Sequence, residues 1–241
     1  MRIGFFGDSL TAGVPGSSFV TILRERFPDD TLLNYGKPND TVSSLYRRIS
    51  AMKLDEPLDI AFLWIGVNDV PQTTWWPNRA FSTIIAQQWA KDTDEFCADY
   101  RATLDFLHER AGHVIVAPPA LKGENLENPW NRRLRELGGL IRELATEYES
   151  TEILDLPAIF ARRLAETPGT DYTPTNPLRI ILDVMTLRTD AQIDGIAAKR
   201  GLRLTLDGVH LNSAGAALVA EEYAAVIERI HSDAGFPFSR E

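Results

Sequence analysis

A serine, an aspartate and a histidine stand in this sequence at positions from which they could do nucleophilic chemistry. Residues 7–13 read Gly7-Asp8-Ser9-Leu10-Thr11-Ala12-Gly13 and directly follow an apolar run. A serine on the turn just past a buried parallel strand presents its hydroxyl at the carboxyl edge of the sheet, where open α/β folds bind ligands. A hydroxyl becomes a nucleophile only beside a general base, and the base needs a carboxylate to orient it. Near the other end of the chain stands Asp207-Gly208-Val209-His210, followed by Leu211-Asn212. That spacing lets Asp207 hold one ring nitrogen of His210 while the other faces Ser9. Attack on a carbonyl also needs donors for the developing oxyanion. Two segments offer them: Asn34-Tyr35-Gly36 and Gly66-Val67-Asn68-Asp69. The backbone N–H groups of Ser9 and Gly36 and the side-chain amide of Asn68 are the candidate donors.

These residues can meet only if the elements between them bring the loops to one edge. Segments Ile3 to Phe6, Leu32 to Asn34, and Ile60 to Ile65 read as strands, the last apolar nearly throughout, as a strand buried on both faces should be. Two more are expected over His113 to Ala117, closed by Pro118-Pro119, and Glu152 to Leu156, closed by Pro157. Helical patterns run over Ser17 to Phe27, Val42 to Met52, Asp92 to Arg110, Pro129 to Tyr148 and Ser213 to Ile230. Helices of this length between strands are what parallel crossovers require. The expected fold is therefore a three-layer α/β/α sandwich on a mostly parallel five-stranded sheet, in the flavodoxin-like order 2-1-3-4-5. In that order the first strand lies between the second and third, and Ser9 falls between Gly36 and Asn68. Residues 1–241 read as a single domain, with two insertions, about 71–91 and 158–206, over the catalytic edge. The tail from His231 is polar and expected to fray.

Taken together, the four blocks around Ser9, Gly36, Asn68 and His210 resemble the GDSL or SGNH family of serine hydrolases. The resemblance implies Ser9 as nucleophile, Gly36 and Asn68 as partners of the Ser9 N–H in the oxyanion hole, His210 as base and Asp207 as third triad member. It implies hydrolysis of an ester or thioester without metal or other cofactor. One departure is visible: the glycine often found before the Asp-Thr pair of the second block is Asn39 here, ahead of Asp40-Thr41. Asparagine tolerates left-handed backbone better than most residues, so this change need not cost the hole. An acyltransferase would use the same acyl-enzyme. A non-catalytic binding protein on the same scaffold is the rival of a different class, and the retention of Ser9, Asp207 and His210 together speaks against it.

Composition narrows the remaining classes. With 44% apolar and 24% charged residues in 241, the chain can bury a sizeable core. A net charge of −9 makes nucleic acid an unfavourable partner. Cys97 is the sole cysteine, so no internal disulfide or cysteine metal cluster can form. No segment reads as a membrane span or a signal peptide, and a cytoplasmic protein acting on a small-molecule ester is the expectation. Adjacent Trp75 and Trp76 in the first insertion are candidate substrate-binding residues, walling an acyl group or stacking on a sugar, with burial in the core as the alternative.

Overall fold

The computed structural model describes residues 1–54, 56–70, 88–167, 169–170, 172, 187 and 189–233. Five strands form one sheet: β1 (Arg2–Gly7), β2 (Thr31–Gly36), β3 (Leu58–Trp64), β4 (Ala111–Ala117) and β5 (Thr151–Ile153). Their spatial order is β2-β1-β3-β4-β5 and every pairing is parallel. Register places Gly7 opposite Gly36 on one side and opposite Trp64 on the other. The segments after β1, β2 and β3 thus leave the sheet side by side.

Helices cover both faces because the strands are apolar on both. Along β3, Ile60, Phe62 and Trp64 join one core, whereas Ala61 and Leu63 join the other. The first core is closed by α2 (Phe19–Arg26), α6 (Leu156–Glu166) and α8 (Ser213–Asp233). At its centre the rings of Phe5, Phe62 and Tyr223 stack, with Phe62 and Tyr223 centroids 4.4 Å apart. The second is closed by α3 (Val42–Ser50), α4 (Thr93–His108) and α5 (Pro129–Ala145), through residues such as Leu45, Tyr100 and Ile141. The short α1 (Ser9–Ala12) opens directly off β1, and α7 (Asp190–Lys199) precedes the His210 segment.

One expected boundary is corrected. The strand expected to run to Leu156 ends at Ile153, because Asp155 caps α6 by accepting from Ala158 N and Pro157 occupies its first turn. Residues 158–166 are consequently part of the helical layer, burying Ile159, Phe160 and Leu164. At the start of the tail expected to fray, α8 continues to Asp233 and His231 Nε2 lies 2.7 Å from Asp30 Oδ2, while residues 234–241 lie outside the described residues. Among the described residues no helix is long and apolar enough to cross a membrane. Trp75, Trp76 and most of both expected insertions lie outside the described residues.

Candidate active site

Ser9 is the first residue of α1, and Asp8 caps that helix by accepting from Leu10 N at 2.9 Å. The cap turns the chain sharply off β1 and leaves Ser9 buried at the sheet edge, 5% exposed. Its Oγ lies 3.0 Å from His210 Nε2. His210 Nδ1 in turn lies 2.8 Å from Asp207 Oδ2. Asp207 Oδ1 accepts from the backbone N–H of Val209 at 3.0 Å and of His210 at 2.9 Å, so the carboxylate is held by its own turn. A carboxylate accepts only, which puts the proton of the neutral imidazole on Nδ1 and leaves Nε2 to accept from Ser9. Burial by itself would raise the Asp207 carboxyl. The charge and hydrogen bonds of His210, with the Val209 N–H, hold it below its ordinary value. Ser9 thus meets the Asp207–His210 pair from the other end of the chain, in an order that can relay a proton from hydroxyl to imidazole.

On the oxyanion side the arrangement is mixed. Asn68, on the turn after β3, donates one amide hydrogen to Asp40 O at 3.0 Å, and a second hydrogen remains on that nitrogen. Its carbonyl accepts from Trp89 Nε1 at 3.2 Å. Gly36 departs from expectation: its N–H donates to Asn34 Oδ1 at 2.9 Å, while Asn34 Nδ2 donates to Thr11 O. The glycine is required there by packing, since a Cβ would lie 2.2 Å from Ala12 N. Asn39, by contrast, has φ of 66°, the one left-handed non-glycine among the described residues. The following carbonyl, Asp40 O, is the one that holds the Asn68 amide.

Carboxylates surround this centre. Burial pushes Asp8 up to about 7, opposed by the Leu10 N–H and the nearby His210. Asp69 is pushed up to about 7 by burial too, although both its oxygens accept from Val42 N. Asp40 is raised by burial against the pull of Arg48, which donates to its Oδ2 at 2.8 and 2.9 Å. Among the described residues no group of three or more His, Cys, Asp or Glu is placed to hold a metal ion. A groove of about 540 Å³ between α3 and the start of α4 is lined by Tyr46, Arg47 and Trp89 among others, and includes neither Ser9 nor His210.

Sequence reasoning passed over Glu124. It is 4% exposed, and its oxygens accept from the backbone N–H groups of Arg203, Leu204 and Thr205 and from the Thr205 hydroxyl, at 2.8 to 2.9 Å.

The GDSL-like Lipase/Acylhydrolase family model matches residues 5–218. Among solved structures, the acetyl xylan esterase AlAXEase is 24% identical with a TM-score of 0.66, over 94% of this chain and 100% of its own. Axe2, an acetylxylan esterase from Geobacillus stearothermophilus, is 20% identical with a TM-score of 0.62, over 99% and 97%. A member of the lipolytic protein G-D-S-L family from Veillonella parvula DSM 2008 is 17% identical with a TM-score of 0.60, over 95% and 99%. At these identities the likeness is one of fold. None of the curated proteins compared matches the chain.

Proposed function

Because this chain belongs to the GDSL-like Lipase/Acylhydrolase family and is a carboxylic ester hydrolase, we propose that it works through an acyl-enzyme on Ser9, with His210 as general base and Asp207 as its orienting partner. The observation that carries this reading is the continuous line Ser9 Oγ, His210 Nε2, His210 Nδ1, Asp207 Oδ2, with separations of 3.0 and 2.8 Å. His210 Nε2 takes the hydroxyl proton as Ser9 Oγ bonds to the ester carbonyl carbon. The oxyanion is met by the Ser9 N–H and the uncommitted Asn68 amide hydrogen. We assign the third donor to the Asn39 N–H in place of Gly36. The Gly36 N–H is already given to Asn34, whereas the left-handed Asn39 turn lies against the Asn68 amide. The imidazolium then protonates the departing alcohol oxygen, and a water activated by the same nitrogen releases the acid.

Acetyl esters of saccharides are the substrates to test first, since two of the similar structures are acetylxylan esterases. The experiment is a panel of p-nitrophenyl esters of increasing acyl length, with acetylated xylo-oligosaccharides alongside, run on the parent, Ser9→Ala and Asp207→Asn. Hydrolysis abolished by Ser9→Ala and reduced roughly 10⁴-fold by Asp207→Asn supports the reading. In the parent, kcat/KM should rise with pH through a limb in the range where an imidazole loses its proton, about 6.5 when unperturbed. Hydrolysis surviving Ser9→Ala contradicts the assignment.

A further inference from the structure

Glu124 lies outside the triad, yet every tie it makes leads toward it. The residue sits on the segment after β4, which is pinned by the start of α5. Asn131 Oδ1 accepts from Lys122 N, Asn131 Nδ2 donates to the carbonyls of Gly123 and Asn125, and Asn128 Nδ2 donates to Lys122 O. From this fixed base the Glu124 carboxylate crosses to residues 203–205. Oε2 accepts from Arg203 N, and Oε1 accepts from Leu204 N, Thr205 N and Thr205 Oγ1.

The Thr205 hydroxyl spends its proton on Glu124 and accepts from Gly208 N at 3.1 Å. Gly208 O accepts from Gly123 N at 2.6 Å, closing a ring of contacts between the two segments. Within that ring Leu206 N donates to His210 O, and Thr205 pairs with Leu211 across the turn. Asp207 and His210 stand on this loop, and the 3.0 Å separation of His210 Nε2 from Ser9 Oγ depends on where the loop is held. The clamp joins the triad turn to the β4 segment, whereas Ser9 is fixed to β1. A shift of the 203–210 loop moves the base relative to the nucleophile and leaves the strand core in place.

On the acyl-enzyme reading, we propose that Glu124 is a positioning residue for the reaction, its buried carboxylate setting the place of the Asp207–His210 pair against Ser9. Four donors converge on two oxygens, an environment suited to a carboxylate and to no other side chain of that size. The glutamine amide has the same shape but turns donors of its own toward one group of those N–H donors.

The test is a double-mutant cycle on the full chain with p-nitrophenyl acetate. We expect Glu124→Gln to lower kcat by roughly 10²-fold with KM within about twofold, the scale on which a small misplacement of reacting groups acts. In an Asp207→Asn background the same change should cost less than about threefold, because the pair it positions is already broken. Thr205→Val removes the hydroxyl between Glu124 and Gly208. It should lower kcat in the same direction by a smaller factor, again with KM held, and it decides the matter if the glutamine variant does not fold. Full additivity with Asp207→Asn, or folded variants at the parent kcat, would overturn the proposal. Ser9→Ala in parallel separates the two failures: activity that survives it overturns the acyl-enzyme reading and this proposal together, whereas its inactivity beside a fully additive cycle removes the role of Glu124 alone.

Discussion

At the scale of single residues, the proposed hole rests on groups with different freedom to change. Asn68→Ala removes a side-chain donor and should lower kcat by about 10²–10³-fold with little change in KM. Steady-state kinetics on one short-chain ester checks this, and a large KM change at constant kcat would make Asn68 a binding group instead. Asn39 contributes backbone only, so Asn39→Gly, which suits φ of 66° at least as well, should keep activity within about twofold. Loss of activity in that variant would show that the Asn39 side chain takes part. Ser9, Asp207 and His210 were singled out in the sequence because four blocks in order resemble one family, not because a strand-end serine or a three-residue spacing is telling alone, and the fold brings the three together. The commitment of the Gly36 N–H to a side chain two residues back, in an asparagine turn, was not legible in the sequence. Glu124 was illegible, since its donors lie 79 to 81 residues further along the chain.

Asp8 gives a separate residue-scale prediction through linkage. Burial raises its folded-state pKa to about 7 from an ordinary 3.8. Between those values the native state holds a proton that the unfolded chain has released, so the contribution of Asp8 to stability falls as pH rises through that window. Asp8→Asn keeps an acceptor for Leu10 N and cannot ionise. The variant should be more stable than the parent at pH 8, by an amount on the order of 4 kcal/mol, and melt at nearly the parent temperature at about pH 4. Melting curves at the two pH values decide it. An equal difference at both would mean that Asp8 stays ionised, or stays protonated, throughout.

At the scale of elements, the segment before α4 bears on the site through one bond. Trp89 donates its indole N–H to Asn68 O, and Gln88 N donates to Ser44 Oγ on α3. Trp89→Phe keeps a ring at the groove and removes the bond, so kcat should fall about fivefold, the equivalent of about 1 kcal/mol for one hydrogen bond, with KM nearly constant. Progress curves on a short ester and on an acetylated saccharide measure it. An increase of KM confined to the saccharide would instead make Trp89 part of the alcohol-binding wall. The five strands and helices α2, α3, α4, α5 and α8 were legible in the sequence, β3 most plainly because it is apolar on both faces, whereas α1, α6 and α7 were not anticipated. The boundary after β5 was not legible either, although Asp155 and Pro157 are the cap and first-turn residues of a helix: Leu154 and Leu156 extend the apolar run of the strand and mask them.

At the scale of the whole molecule, the strand order β2-β1-β3-β4-β5 is what makes the residues converge. It sets Ser9 between the loops of Asn39 and Asn68, and α8 anchors the far end of the His210 segment against β1 through Tyr223 and Phe5. The order was expected as the common flavodoxin-like arrangement of such a sheet, and the pairings have it. The holding of the 203–210 loop was the part no local pattern supplied, because Glu124, Thr205 and Gly208 meet across the chain. On the proposed reading Ser9 is the hydroxyl that His210 and Asp207 activate, and covalent labelling reads that activation out. A fluorophosphonate probe should add one mass increment per chain, mapped by peptide mass spectrometry to the tryptic fragment containing Ser9, and no increment in Ser9→Ala. Labelling of another residue at the parent rate, in a variant that still hydrolyses esters, would mean that a different hydroxyl carries the acyl group.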